Sequence, residues 1–129
     1  MNEIKKGTVF VDEEVVDKYR AIYYAGASGD FNPIHIDPEF GKMVGLGGVI
    51  LHGLCAMGFV AKTVTDWLGD PGRLKKLSCR FAAPVKIDDV LTVRGEVVDV
   101  KDGRASVAMK VTRQDGTEVE KNVSAEVEV

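Results

Sequence analysis

The spacing of hydrophobic residues divides the chain into a first half that favours helices and a second half that favours strands. Between positions 52 and 68, apolar side chains cover most of the circumference of one predicted helix, which begins near His52–Gly53 and ends near Leu68. They are Leu54, Cys55, Ala56, Met57, Phe59, Val60, Ala61, Val64 and Trp67. Such a helix must be buried on most sides, and in a chain of 129 residues only a curved sheet can surround it.

Four segments of the second half alternate apolar and polar residues with the period of a half-buried strand. Their apolar positions are Leu77, Cys79 and Phe81; then Leu91, Val93 and Val97; then Ala105, Val107, Met109 and Val111; and finally Val119, Val123, Ala125, Val127 and Val129, where Lys121 is an exception. Asp102–Gly103 and Asp115–Gly116 separate the last three segments, and Asp-Gly is typical of hairpins because both residues tolerate positive φ angles. The pattern predicts an α+β fold, in which an antiparallel meander wraps a long buried helix.

The N-terminal part is predicted to hold a short strand near Thr8–Val11 and a helix that ends near Ala25. Asp12, followed by Glu13 and Glu14, would cap the start of this helix. One face of the helix is expected to contact the core, because apolar residues recur at intervals of three and four; they are Val15, Val16, Tyr19, Ile22, Tyr23 and Ala25. A further short helix is expected from Asp37–Pro38 through Met43, with no chemical role for Asp37.

Composition narrows the classes of function. A chain of 129 residues with 45% hydrophobic and 29% charged residues predicts one globular domain, 1–129. The net charge of −3, without a basic run, argues against nucleic-acid binding, and no apolar segment of about 20 residues predicts a membrane span. The first residues lack the apolar core of a signal peptide, so we expect a cytoplasmic protein. Cys55 and Cys79 are too widely spaced for a C-x-x-C motif and are expected to be buried as small hydrophobes.

Candidate chemistry lies in ASGDFNPIHIDPEF, residues 27–40. An ionised aspartate can orient or deprotonate water, and a histidine can transfer protons in either direction near neutral pH. Asp30 and His35 are therefore a candidate acid-base pair, and the amide of Asn32 could hold the same water molecule. The alternative is structural: Asp30 and Asn32 would make side-chain to backbone turn bonds, and His35 would be a packed loop histidine.

The order of predicted elements resembles the hot-dog fold. YAGASGDFNPIHIDPEF, residues 24–40, followed by LHG at 51–53, resembles the MaoC-like dehydratase family, which includes (R)-specific enoyl-CoA hydratases. GDFNPIHID, VGLGGVILHG and WLGDPGRLKKLSCRFAAPV look most like the catalytic B-type subunit of actinobacterial (3R)-hydroxyacyl-ACP dehydratase. This resemblance implies reversible dehydration of (3R)-hydroxyacyl thioesters to trans-2-enoyl thioesters. It implies that Asp30 and His35 form the catalytic dyad and that Asn32 assists.

The N–H groups at the start of the long helix could stabilise negative charge on a thioester oxygen. Gly53 has no side chain, so its backbone can approach a substrate closely, and the resemblance implies that its amide is the oxyanion donor. The alternative for Gly53 is a tight helix entry. For His52 a packing or capping role is expected. Two other functions remain as alternatives, a hot-dog acyl thioesterase and a non-catalytic subunit that shapes an acyl tunnel for a partner.

A small basic cluster lies between the long helix and the first alternating segment; it consists of Arg73, Lys75, Lys76 and Arg80. It could bind the phosphates of coenzyme A or the acidic face of acyl carrier protein, or it could be a solvated strand edge, and the sequence favours neither interpretation.

The depth of the acyl tunnel should depend on Leu46, Val49, Ile50, Met57 and Phe59.

No metal and no cofactor beyond the thioester carrier is expected. Gly45, Gly47 and Gly48 lack both the phosphate-loop lysine and the dinucleotide fingerprint, so they predict a close-packed loop over the tunnel.

A single hot-dog domain would leave an edge strand and an acyl tunnel exposed to water. We therefore expect a dimer, either a homodimer or a heterodimer with a second hot-dog subunit.

Overall fold

A computed structural model describes residues 3–129 of the chain. In chain order the elements are β1 (Val9–Val15), α1 (Arg20–Ser28), α2 (Pro33–Ile36), α3 (Pro38–Met43), α4 (Gly53–Leu68), a 3₁₀ turn (Pro71–Arg73), β2 (Leu74–Phe81), β3 (Val90–Lys101), β4 (Arg104–Thr112) and β5 (Glu118–Glu128). The strands form one antiparallel sheet in the order β1-β3-β4-β5-β2. The predicted antiparallel sheet and the predicted bounds of the long helix, α4, are confirmed.

The core lies between α4 and the inner face of the sheet. The buried residues of α4 are Ala56, Phe59, Val60, Thr63, Val64 and Leu68. Leu54 of the same helix is 58% exposed, which corrects its predicted burial. Trp67 of the same helix stacks on Phe10 of β1, with ring centroids 4.2 Å apart. A Cβ atom at Gly95 would lie 2.2 Å from the Phe10 ring, so the absence of a side chain there lets this ring reach the core. The alternation predicted for β3 and β4 is confirmed, since their predicted apolar positions are buried.

A bulge in β5 explains why Lys121 interrupts the apolar pattern. Pairing with β4 passes from Met109↔Val123 to Val111↔Glu120, so β5 uses one residue more than its partner strand. Asn122 has a φ angle of +53° in this bulge. Lys121 is therefore exposed, whereas Val119, Val123, Ala125 and Val127 are buried as predicted. Val129 follows the strand and is 40% exposed, which corrects its predicted place in the core.

The two Asp-Gly pairs form different turns. Asp102 and Gly103 both have positive φ angles, +54° and +76°, and join β3 directly to β4 as predicted. In the turn between β4 and β5 only Gly116 has a positive φ angle, +84°. Asp115 instead accepts hydrogen bonds from the backbone of Thr117 and the side chain of Arg113, which hold the longer loop together.

The predicted start of α1 is wrong. Residues 12 to 15 continue β1, because the strand pairs with β3 up to Val15↔Val90, and α1 begins only at Arg20. Asp12 therefore caps no helix and lies in β1 opposite Val93. Asp17 accepts the backbone N–H of Tyr19 just before the helix.

The predicted core stripe of α1 is also corrected. Val16 and Ala25 are buried, as is Ala21, which the pattern did not include. The other four predicted positions are exposed; they are Val15, Tyr19, Ile22 and Tyr23. Because the helix begins later than predicted, Val15 and Val16 do not belong to it, and the buried residues of the short α1 are Ala21 and Ala25. The short α3 begins at Pro38 as predicted, with the Asp37 side chain accepting the N–H groups of Glu39 and Phe40.

Two further predictions concern the cysteines and the helices of residues 3–129. Cys55 and Cys79 are free thiols and are only half-buried, which corrects their predicted burial. None of the helices in this range is both long enough and apolar enough to cross a lipid bilayer.

Candidate active site

The loop between α1 and α2 positions Asp30. Gly29, with a φ angle of +79°, ends α1 and turns the chain into this loop. The Oδ1 atom of Asp30 accepts the N–H of Asn32 at 3.2 Å, and the side-chain oxygen of Asn32 accepts the N–H of Ile34 at 3.2 Å. These are the turn bonds of the structural alternative. They use only Oδ1 of Asp30, and the other carboxylate oxygen faces His35.

His35 lies in α2 with its ring buried, 7% exposed. Its Nδ1 atom is 2.7 Å from the carbonyl oxygen of Ile50. A carbonyl oxygen can only accept, so Nδ1 carries the hydrogen and, in the neutral ring, Nε2 has a free lone pair. Nε2 is 3.8 Å from Oδ2 of Asp30, which is too long for a direct hydrogen bond. The lone pair and the half-exposed carboxylate could therefore hold one water molecule between them.

His52 completes this cluster, and its contribution was missed in the sequence. Its ring stacks on that of His35, with ring centroids 3.8 Å apart. It also packs against the ring of Tyr24, with centroids 4.7 Å apart. Its Nε2–H donates to the carbonyl oxygen of Asp30 at 2.9 Å. The expected packing role is confirmed, although the side chain makes no helix cap. His52 thus connects the start of α4 to both members of the candidate pair.

Gly53 is the first residue of α4, where backbone N–H groups have no acceptor within the helix. A Cβ atom at this position would lie 2.8 Å from the ring of Phe81 in β2, so only glycine fits against that ring without a shift. His35 and Gly53 line one groove of about 380 Å³. The rest of its wall is apolar and consists of Leu46, Ile50, Leu51, Phe81, Ala82, Ala83 and Pro84.

Of the five residues expected to set tunnel depth, Leu46 and Ile50 line this groove, whereas Val49, Met57 and Phe59 do not. Val49 lines a separate cavity with Gly47 and Gly48, and Phe59 lies in the core. The prediction of a closely packed glycine loop holds only where the carbonyl group of Gly48 approaches Gly41, since added Cβ atoms at Gly45 and Gly48 would meet no atom within 4 Å.

One group of potential metal ligands lies in this cluster. Donor atoms of Asp30, His35 and His52 are within 4.8 Å of one another. Each imidazole already donates one N–H to a backbone carbonyl, which leaves Nε2 of His35 and Nδ1 of His52 as possible donors to a metal. Proton transfer between Asp30 and His35 requires no metal, and the absence of a bound metal stays a prediction.

The basic cluster divides into two parts. Arg73 donates to the carbonyl oxygens of Glu128 and Leu68, and Lys75 forms an ion pair with Glu128 at 3.3 Å. Lys76 lies opposite Glu126 in the sheet. These three residues therefore have acidic groups or carbonyls nearby, in contrast to Arg80.

Arg80 belongs to a basic row that crosses the outer face of the sheet. The row follows the register of four strands and consists of Arg94, Lys110, Lys121 and Arg80. All four are exposed, and within residues 3–129 none has a carboxylate within 4.0 Å. Lys110 and Lys121 line a groove of about 440 Å³ that shares Ala82 and Ala83 with the candidate active site. Because the row is built from four strands, no local sequence pattern could have predicted it.

Sequence comparison relates the chain to one family of known proteins. Residues 1–119 match the family model described as MaoC like domain. The chain is 44% identical to the peroxisomal enoyl-CoA hydratase 2 of Arabidopsis thaliana over 77 residues, which cover 58% of this chain and 25% of the plant protein. It spans about a quarter or less of the length of the first curated relatives that it matches.

Solved structures show the same fold. The unliganded R-hydratase PhaJ1 of Pseudomonas aeruginosa superposes with a TM-score of 0.87 at 26% identity, over 98% of this chain and 83% of that one. A chain of the ChsH1-ChsH2 complex from Mycobacterium tuberculosis superposes with a TM-score of 0.86 at 26% identity, over 98% and 99% of the two chains. The hot-dog fold is thereby confirmed, and the chain belongs to the MaoC-like domain family.

Proposed function

We propose that the chain is a hydro-lyase that interconverts trans-2-enoyl thioesters and (3R)-hydroxyacyl thioesters. The observation that carries the proposal is one apolar groove lined by the His35 ring and by Gly53 at the start of α4, with the Asp30 carboxylate 3.8 Å from His35. The likeness to an enoyl-CoA hydratase 2 and to an R-hydratase supports the same chemistry.

In the proposed mechanism, Asp30 and His35 hold a water molecule beside C3 of the enoyl group. As the water oxygen bonds to C3, its proton passes to the free Nε2 of His35, and the Asp30 carboxylate stabilises the resulting imidazolium. Electrons of the double bond move towards the thioester oxygen, where the N–H of Gly53 stabilises the charge. A proton from the dyad then adds to C2, so that one water molecule is added across the double bond. Asn32 assists by orienting the water.

The thioester carrier forms part of this proposal. Phosphate groups of coenzyme A, or of the phosphopantetheine arm of acyl carrier protein, would bind the basic row, because its four cations have no acidic partner in residues 3–129. The shared wall at Ala82 and Ala83 would lead the arm from the active-site groove to Lys110 and Lys121.

The active unit is proposed to be a dimer in the cytoplasm. Three apolar side chains beside the candidate site are more than half exposed: Phe31 follows Asp30, Leu54 follows Gly53, and Phe81 lines the groove. Exposed apolar groups of this kind are usually covered by a partner. A heteromeric assembly of similar chains, the ChsH1-ChsH2 complex, supports pairing without selecting a homodimer or a heterodimer for this chain.

Hydration of crotonyl-CoA by the purified protein tests the function, with chiral chromatography of the product. The (3R)-hydroxybutyryl thioester is the expected product, without release of free thiol. Exclusive formation of the (3S) isomer would contradict the proposal. Free thiol without hydration would indicate a thioesterase instead.

A further inference from the structure

One acidic residue of β5 has no role in the proposed mechanism, although it is buried. Glu120 is 2% exposed, and neither oxygen of its carboxyl group has a hydrogen-bond partner within residues 3–129. It is the only buried carboxylate in that range. A carboxyl group in such a place is unfavourable unless something binds it, whereas the other inward positions of β5 are valine or alanine.

The β5 bulge turns Glu120 inward. Val127, Ala125 and Val123 face the core in regular alternation, which would place Lys121 inward next. The extra residue at the bulge shifts the alternation by one position, so Glu120 faces inward instead and pairs with Val111 and with Phe81. A second register shift lies between Val111 and Thr112, and Val119 is buried as well. Bulges often occur beside active sites, where they redirect a side chain.

Phe81 pairs with Glu120 in the sheet and also lines the candidate active site. Glu120 lies directly opposite Phe81 in the β2–β5 pair, and the Cβ atoms of such pairs are about 4.5–5.5 Å apart on the same face of the sheet. The Phe81 ring contacts Gly53, lines the groove with His35 and is 55% exposed. Access of an acyl chain to Glu120 requires this ring to rotate, because the carboxyl group is only 2% exposed.

The neighbours of Glu120 do not satisfy it. Val111 and Phe81 offer no donor, and the thiol of Cys79, which faces it, is only a weak one. Burial, with a smaller contribution from Glu120, raises the pKa of Cys79 to about 11, so this thiol stays protonated. Burial also raises the pKa of Glu120 to about 7. Near neutral pH the carboxyl group can thus accept a hydrogen bond in both of its protonation states.

We propose that Glu120 is a specificity-determining residue that binds a hydrogen-bond donor on the acyl chain of the substrate. This inference rests on the proposed function and names its substrate class, thioesters whose acyl group carries a hydroxyl or amide N–H beyond C3. A site with a buried polar group discriminates strongly against an analogue that lacks the matching group, because the polar group then remains unpaired.

Matched substrates test the assignment. Hydration of trans-2-hexenoyl-CoA is compared with hydration of its 4-, 5- and 6-hydroxy derivatives, for the parental protein and for Glu120→Leu, Glu120→Gln and Glu126→Gln. We expect kcat/KM of the parental protein to be at least tenfold higher for one hydroxylated member. Glu120→Leu should abolish this preference, Glu120→Gln should retain part of it, and Glu126→Gln, an exposed acid of the same strand, should leave it unchanged. An unchanged preference in Glu120→Leu would overturn the assignment.

Binding separates this inference from the proposed function. Calorimetric titration with hexanoyl-CoA and its hydroxylated derivatives requires no turnover. If no enoyl thioester is hydrated but the parental protein binds one hydroxylated ligand at least tenfold more tightly, and Glu120→Leu does not, the proposed function fails and the assignment of Glu120 stands. Equal binding of all four ligands by the parental protein would overturn the assignment, whatever the activity.

Discussion

Individual residues divide into those whose place the sequence indicates and those whose place depends on the fold. Asp30 and His35 lie five positions apart, so a single turn brings them together, and their proximity could be predicted. Glu120 could not, because the bulge that turns it inward depends on the register between β5 and β4. The contact of His52 with both Asp30 and His35 likewise requires α4 to start beside the loop.

Replacement of either member of the dyad should remove most of the activity. We expect Asp30→Asn and His35→Ala each to lower kcat for enoyl-CoA hydration by roughly 100- to 10,000-fold, the usual range for a general acid or base. Asp37→Asn is the matched control, since asparagine still caps α3 and Asp37 has no part in the mechanism. Activity of either dyad variant near the parental level, with an unchanged circular dichroism spectrum, would contradict the assigned mechanism.

Glu120 should also make stability depend on pH. Burial raises the pKa of its carboxyl group from 4.5 to about 7, so the folded state binds the proton more tightly than the unfolded chain does. The stabilisation from this bound proton is complete below about pH 4.5 and is lost as the pH rises to about 7. The loss lowers the free energy of unfolding by on the order of 3 kcal/mol.

Chemical denaturation at pH 5 and pH 8 measures this effect. Glu120→Gln has no titrating group at that position, so its stability should fall less between the two pH values than that of the parental protein. Equal pH dependence of the two proteins would show that Glu120 does not titrate in this interval.

At the scale of elements, the hydrophobic period predicts type and order better than boundaries. The four alternating segments and α4 are present as predicted, because each pattern extends over many residues, although Phe81 and Val129 at the ends of two segments are exposed instead of buried. The start of α1 was placed too early, because residues 12 to 15 suit both a helix and a strand, and only pairing with β3 decides between them. The outer basic row is likewise a property of the sheet, since its members lie on four strands.

Charge reversal in the basic row should weaken carrier binding without affecting the chemistry. We expect Lys121→Glu to raise KM for crotonyl-CoA roughly tenfold, because a charge-assisted hydrogen bond to phosphate is lost, while kcat stays within about twofold. KM for the N-acetylcysteamine thioester, which has no phosphate, should not change. Lys101→Glu, an exposed lysine of β3 outside the row, is the control. An equal rise in KM for both thioesters would exclude a phosphate contact.

For the whole molecule, the sequence predicted the architecture and suggested an assembly. Burial of α4 by a sheet followed from its apolar circumference, whereas the exposed apolar side chains of α1 were assigned to the core. Helical spacing alone cannot distinguish a face that contacts the protein's own core from a face that contacts a second chain.

Assembly and activity should therefore be linked. We expect the protein to be dimeric in light scattering and Leu54→Glu, beside the candidate site, to shift it towards monomers and lower its specific activity. Val98→Glu places the same charge on an exposed apolar position of β3 and should change neither property. A fully active parental monomer would contradict the proposal, and an inactive homodimer rescued by a second hot-dog chain would favour a heterodimer.

The bond between His35 and Ile50 has a consequence for how such a protein can diversify. His35 donates to the backbone carbonyl of Ile50, while the Ile50 side chain lines the groove. Mutation of Ile50 can thus resize or reshape the acyl pocket without changing the tautomer of His35, because the carbonyl group that fixes the tautomer belongs to the main chain. Selection for a new acyl chain and selection for proton transfer act on different atoms of the same residue.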